Sequence, residues 1–75
     1  MSERLLKYLF TLTVRAAFRR NENPDEVLVN LSHRALTLVD AGENPAMVGS
    51  ALESVINSYG LVDQPVPFKV VASLN

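Results

Sequence analysis

The stretch LLKYLFTLTVRAAF, residues 5–18, decides the fold, because its pattern fits two kinds of secondary structure. Apolar residues occupy every second position from Leu6 to Phe18, and polar residues fill most of the positions between them. This alternation predicts a half-buried β-strand, which suits the tyrosine, phenylalanine, threonine and valine of the stretch. A helix is the alternative, with a polar stripe along one side, but it would place Phe18 within that stripe. We therefore expect residues 5–18 to form a strand.

Two helix-start signals follow this stretch. An Asn-Pro pair occurs at residues 23–24 and again at 44–45, and asparagine is a good N-cap before a proline at the first helical position. A glycine stands near the end of each following segment, where helices commonly stop. We therefore predict helices over residues 24–41 and 45–59, joined as a helical hairpin. Apolar residues recur at helical spacing on one face of each: Val27, Leu28, Leu31, Ala35, Leu38 and Val39, then Val48, Ala51, Leu52, Val55, Ile56 and Tyr59.

The segment PVPFKVVASL, residues 65–74, predicts a second, shorter strand. Its prolines favour an extended backbone, and apolar residues then alternate from Phe68 to Leu74. The predicted order is β-α-α-β in one domain of residues 1–75, an α+β fold with the helical hairpin packed on a small antiparallel sheet. Because two strands leave sheet edges unpaired, we expect dimerisation to complete the sheet. The alternative fold is a three-helix all-α domain with an extended C-terminal tail.

Length and composition narrow the class of protein. A 75-residue chain buries a limited core and, without cysteine, has no disulfide to stabilise it, so we expect a homodimer. Hydrophobic residues at 48% and charged residues at 20% indicate a folded chain rather than a disordered one. Polar residues interrupt the apolar N-terminal stretch, so the sequence predicts neither a signal peptide nor a membrane span. The absence of cysteine suits a reducing compartment, and we expect a cytoplasmic protein.

The residues that catalysis or metal binding would need are scarce. The three glycines are too scattered for a phosphate-binding loop, and no cysteine nucleophile exists. His33 is the single histidine, and it falls on the predicted polar face of the helix over residues 24–41. Asp25 and Glu26 are explained as first-turn charges that interact favourably with the helix dipole. We therefore expect a protein that is not an enzyme and that holds no cofactor and no metal ion.

Charge is distributed unevenly along the chain. Residues 1–20 contain five cations and one carboxylate, whereas residues 21–75 contain two cations and seven carboxylates. A basic N-terminal segment can bind an anionic partner. It can equally pair with the acidic remainder of the same chain or of a second copy. Both interpretations stay open at this point.

The first functional hypothesis is a small regulatory or inhibitory adaptor that acts by protein–protein binding, as small phage and bacterial accessory proteins do. One group of candidate binding residues is the polar side of the basic N-terminal segment. The other is a set of small polar residues on the second predicted helix, which let another backbone approach closely and lose little entropy on ordering. The candidate partner-binding residues are Lys7, Thr11, Thr13, Arg15, Arg19, Arg20, Ser50, Ser54 and Asn57.

The run TLTVR, residues 11–15, followed by two helices, resembles the ribbon-helix-helix repressors. In that family, paired strands of a dimer enter the major groove of DNA, and the outward strand residues read the bases. The resemblance covers about residues 9–60 and implies that Thr11, Thr13 and Arg15 face the bases. It also implies that the helix N-terminus at Asn44 meets a phosphate. A dimeric DNA-binding repressor is therefore the alternative function, with nucleic acid as its partner.

Overall fold

The computed structural model describes residues 1–61, which fold into three α-helices. Helix α1 comprises Glu3–Arg19, α2 comprises Pro24–Asp40, and α3 comprises Pro45–Ser58. The helices α2 and α3 start at the prolines that the sequence indicated, and each ends one residue before its predicted end. The strand predicted over residues 65–74 lies outside the described residues.

The predicted α+β fold is wrong, because residues 1–61 contain three helices and no strand. Residues 5–18, expected to form a strand, lie wholly within α1. This part of the chain therefore has no sheet edge for a second copy to complete. The three-helix all-α alternative agrees with the described residues.

The alternating pattern of the first segment is compatible with a helix because it contains two rows of residues spaced four apart. Leu6, Phe10 and Val14 form one row, and all three are fully buried. Tyr8 and Leu12 belong to the other row, which faces away from the core, since residues two apart on a helix point about 200° apart. Helix α1 thus carries apolar residues on two sides, and in the sequence this looks like a strand.

The ends of α1 and α3 show how the helices are arranged. Phe18, whose place in a polar stripe favoured the strand, packs its ring edge-on against Tyr59, with centroids 6.0 Å apart. At the opposite end, the hydroxyl group of Ser50 in α3 donates a hydrogen bond to the carboxylate of Glu3 in α1. The helices α1 and α3 therefore run in the same direction, and α2 returns between them in an up-down-up bundle with short loops.

Side-chain caps and left-handed residues set the helix boundaries. The Oδ1 atom of Asn23 accepts a hydrogen bond from the N–H of Glu26 at 2.9 Å, and that of Asn44 accepts one from the N–H of Met47 at 3.1 Å. Each helix ends in a Schellman motif, in which a left-handed residue follows the C-cap. These residues are Asn21 with φ of 58°, Gly42 with φ of 101° and Gly60 with φ of 60°.

The hydrophobic core lies between the three helices, and Leu61 closes it after α3. Among the described residues, Ser32 is the one polar residue buried in it. Fully burying a large apolar side chain stabilises a fold by about 1.5–3 kcal/mol, so the inner faces of all three helices contribute. The largest fully buried side chains are Phe10, Leu6, Leu31, Leu52, Ile56, Val14, Val27 and Val48.

Candidate functional site

Helix α1 carries a second apolar surface on the side that faces away from the core. Leu5, Tyr8 and Leu12 stand at positions i, i+3 and i+7, so their side chains lie along one side of the helix. They are 45%, 58% and 42% exposed, whereas Leu6 and Phe10 on the other side are fully buried. Apolar residues at this spacing are those through which two helices pack against each other.

Three exposed arginines lie on the same side of α1 as this apolar row. Arg4 is four residues before Tyr8, and Arg15 and Arg19 are three and seven residues after Leu12, so all three border the row. The surface they form together contains no carboxylate. We call it the outer face of α1, and its residues are Arg4, Leu5, Tyr8, Leu12, Arg15 and Arg19.

The arginines of the outer face form no ion pair with a carboxylate of residues 1–61. Within this part of the chain, the ion pairs join the amino group of Met1 to Glu43 at 3.1 Å and the Nε of Arg20 to Glu22 at 2.6 Å. The single acid of α1 accepts a hydrogen bond from α3 instead. Pairing between the basic segment and the acidic body is therefore limited, in these residues, to the amino terminus and the loop after α1.

The three residues expected to read DNA from a ribbon do not share a surface. Because α1 is a helix, Thr11 and Thr13 point about 200° apart rather than to the same side, as they would on a strand. Both are partly buried, and the hydroxyl group of Thr13 donates a hydrogen bond to the carbonyl of Leu9 at 3.1 Å. Arg15 alone belongs to the outer face. The ribbon that the family resemblance implied is therefore wrong for this segment.

The remaining predicted basic residues, Lys7, Arg19 and Arg20, lie in three different surroundings. Arg19 belongs to the outer face, and Lys7 is partly buried on α1. Arg20 follows α1, and its Nε donates a hydrogen bond to Glu22, whose carboxylate also accepts one from the amide of Asn30. These two hydrogen bonds tie the α1–α2 loop to α2. Arg20 therefore has a structural contact that Arg15 and Arg19 lack among the described residues.

The small polar residues predicted as a binding surface lie on α3 and do not join the outer face. The hydroxyl group of Ser50 is engaged with the carboxylate of Glu3. Ser54 is partly buried, and Asn57 is exposed. The side chain of Asn44, which the resemblance assigned to a phosphate, caps α3. Ser50, Ser54 and Asn57 stand at positions i, i+4 and i+7 and therefore share one side of α3, where Ser50 already contacts α1.

Sequence reasoning missed the apolar half of the outer face. A strand would place Tyr8 and Leu12 on the buried side with Leu6, so the alternating pattern predicts core positions for them. The signal that identifies them is their spacing with Leu5 at steps of three and four, which is helical. Arg4 was missed for the same reason, because its position beside Tyr8 exists only on a helix.

Acidic side chains gather at the start of α2 around a surface depression of about 340 Å³. Two of them already have local partners: Glu22 accepts hydrogen bonds from the loop and from α2, and Glu26 accepts one from the N–H of Asn23. Within residues 1–61, no three side chains of the metal-binding types lie close enough together to hold an ion. Helix capping accounts for Glu26, the loop contacts account for Glu22, and Asp25 is a first-turn acid of α2. Its lining residues are Glu22, Asp25, Glu26, Val29 and Asn30.

The outer face of α1 offers a row of apolar contacts bordered by guanidinium groups, which donate paired hydrogen bonds to carboxylates or phosphates. Such a surface is suited to binding.

None of the helices in residues 1–61 has the length and apolar character that crossing a lipid bilayer requires. Comparisons with known protein families, with curated proteins and with solved structures found no match to this chain.

Proposed function

We propose that this protein is a small regulatory or inhibitory adaptor that binds another protein through the outer face of α1. The observation that supports the proposal is a row of three exposed apolar side chains on a helix that already buries a complete apolar row in its own core. Single exposed leucines are ordinary on protein surfaces. A contiguous exposed apolar row bordered by charge is, in contrast, typical of an interaction site.

The size of the row favours a reversible interaction. Leu5, Tyr8 and Leu12 are each about half exposed, so covering them would contribute roughly 2–5 kcal/mol at the usual value for burying large apolar side chains. Association itself costs about 4 kcal/mol or more in lost translational and rotational freedom. The apolar row therefore needs added contacts from the arginines to hold a partner. Binding of this strength suits regulation better than permanent assembly.

DNA binding through an N-terminal ribbon is not proposed, because α1 takes the place of the ribbon strand. A nucleic acid would engage the three arginines of the outer face, since phosphate contacts dominate such binding. It would leave Leu5 and Leu12 without a role. A protein partner uses both halves of the surface, the apolar row and the charge beside it.

The protein's lack of catalytic activity, its cellular compartment and its oligomeric state are also proposals. We propose that the protein is not an enzyme, since the outer face carries neither a carboxylate nor a histidine to act as a general acid or base. A cysteine-free chain suits the reducing cytoplasm, where we place it. A homodimer stays a prediction that rests on chain length alone, because residues 1–61 contain no sheet to be completed.

Site-specific photo-crosslinking in cells that naturally produce the protein tests the proposal. A benzophenone side chain in place of Tyr8 or of Leu12 should give the same discrete adduct with a second protein, because both positions lie within the outer face. The same probe at Val29, which is 54% exposed on α2, is the matched control and should not give that adduct. The proposal fails if positions 8 and 12 yield no protein adduct, or if position 29 yields the same one.

A further inference from the structure

We infer that the outer face of α1 receives an amphipathic α-helix of the partner protein, and that the polar side of this helix is acidic. The inference rests on the proposed function and specifies the chemistry of the partner. Two observations carry it. The first is the spacing of the apolar row, and the second is the uniformly positive charge that borders the row.

The spacing of the row fits a helix better than an extended segment. Leu5, Tyr8 and Leu12 follow one another at steps of three and four, the spacing of residues along one side of a helix. A partner helix matches these steps with apolar residues of its own, which fill the spaces between those of α1. From Leu5 to Leu12 the row is about 10 Å long, which corresponds to about two turns of a partner helix. A peptide that binds by strand addition would need a sheet edge to pair with, and α1 offers none.

The charge of the outer face selects an acidic partner. Arg4, Arg15 and Arg19 border the row, and no carboxylate within residues 1–61 pairs with them. A helix with Glu or Asp at matching positions would bring carboxylates beside these guanidinium groups, in reach of paired hydrogen bonds. Because exposed ion pairs contribute about 0–1 kcal/mol each, their main effect is to accelerate association and to exclude basic helices.

Two other occupants fit this surface less well. A second copy of the chain would place Arg4 opposite Arg4 in a parallel pairing, or opposite Arg15 and Arg19 in an antiparallel one, and like charges would repel. A membrane-surface helix needs a broad apolar face. The broader apolar face of α1, with Leu6 and Phe10, is buried in the core and is not free for lipid.

Titration of the isotope-labelled full chain with two synthetic helical peptides tests the inference. Both peptides carry leucines at i, i+4, i+7 and i+11; one has glutamate at every flanking position, and the other has lysine there. The acidic peptide should bind at micromolar concentration and should shift the amide resonances of residues 4–19 most. The basic peptide should bind at least about tenfold more weakly, because it meets like charge along the whole row.

Three variants locate the contact on the outer face. Tyr8→Ala and Leu12→Ser should each weaken binding of the acidic peptide by about tenfold, the size of effect expected for a central apolar contact. Val29→Ser removes an exposed apolar side chain from α2 and should leave binding unchanged. A thermal melt of each variant verifies that the bundle still folds. Equal weakening by all three variants would mean that the peptide does not recognise the outer face.

Other outcomes overturn the inference in distinguishable ways. If both peptides bind equally well, the charge of the partner helix does not affect binding, and the inferred acidic side is wrong. If neither peptide binds while crosslinking from positions 8 and 12 captures a protein, the proposed function stands and the acidic helix does not. If the protein floats with anionic lipid vesicles, the outer face binds a membrane instead. If the protein is retained on duplex DNA, the outer face binds nucleic acid instead. A dimer that Leu12→Ser dissociates would make the occupant a second copy, and a crosslink to residues 62–75 would make it the chain itself.

Discussion

The rings of Phe18 and Tyr59 meet edge to face, with centroids 6.0 Å apart and planes inclined at 60°, and this contact joins the last turn of α1 to the C-cap of α3. Both side chains remain partly exposed, at 41% and 38%. The pair thus lies at the border of the core, where it covers the end of the bundle. Phe18, which lies among polar residues when the segment is helical, therefore packs against an aromatic residue at the end of another helix.

A double-mutant cycle on Phe18 and Tyr59 tests this contact. Phe18→Ala and Tyr59→Ala should each lower the free energy of unfolding, and the coupling between them should be about 0.5–1.5 kcal/mol, the value typical of aromatic pairs. Urea denaturation of the two single variants and the double variant measures it. Tyr8→Ala is the control, because Tyr8 is 58% exposed and should change stability less. Additive effects of the two substitutions would show that the rings do not interact in solution.

The two rows of α1 should respond in opposite ways to truncation. Phe10→Ala removes a fully buried ring and should destabilise the protein by about 3–5 kcal/mol, since a cavity remains in the core. Leu12→Ala, on the outer face, should change the free energy of unfolding by about 0.5 kcal/mol or less. Thermal or denaturant unfolding of both variants gives the comparison. Similar losses for the two would indicate that both rows are buried, as in the strand that the alternating pattern suggested.

The sequence could predict two of the three helices, and the two apolar rows of α1 explain why it could not predict the third. The start signals of α2 and α3 are local: an asparagine side chain caps the next turn, and a proline fixes the first φ angle, so both helices could be recognised from a few residues. For α1 the local pattern was ambiguous, because a helix with apolar residues on two opposite sides repeats every second position. Only the packing of α1 against α3, a contact between distant parts of the chain, decides between helix and strand.

The same ambiguity limited the prediction of the site. Arg15 and Arg19 could be identified from the charge of the N-terminal segment, whichever secondary structure it adopts. Tyr8 and Leu12 could not, because their exposure depends on the direction in which a helix points them. The contacts of Ser50 and Arg20 also depend on folding, since each joins residues that the bundle or its loop brings together.

The left-handed residue after each helix provides a test of the Schellman motifs. Gly60 has a φ of 60°, and no atom lies within 4 Å of the position that an added Cβ would take. Gly60→Ala should therefore destabilise the protein by backbone strain alone, about 1–2 kcal/mol. Asn21→Gly is the converse change, because Asn21 already has a φ of 58°, and it should leave stability unchanged or raise it slightly. The free energies of unfolding check both signs, and a neutral Gly60→Ala would contradict the motif after α3.

The final prediction separates the arginines of the outer face from the arginine that supports the loop. Arg15→Gln combined with Arg19→Gln should change the free energy of unfolding by less than about 0.5 kcal/mol, since both side chains are exposed and neither pairs with a carboxylate of residues 1–61.

The same double substitution should slow association with the acidic helical peptide and reduce the dependence of the association rate on salt, because electrostatic attraction acts mainly on that rate. Arg20→Gln is the matched control. It removes one positive charge and the hydrogen bond to Glu22, so it should lower stability by at most about 1 kcal/mol and leave the association rate almost unchanged. Stopped-flow association at several salt concentrations measures the rates. If Arg20→Gln slowed association as much as the double substitution, net charge rather than the outer face of α1 would govern recognition.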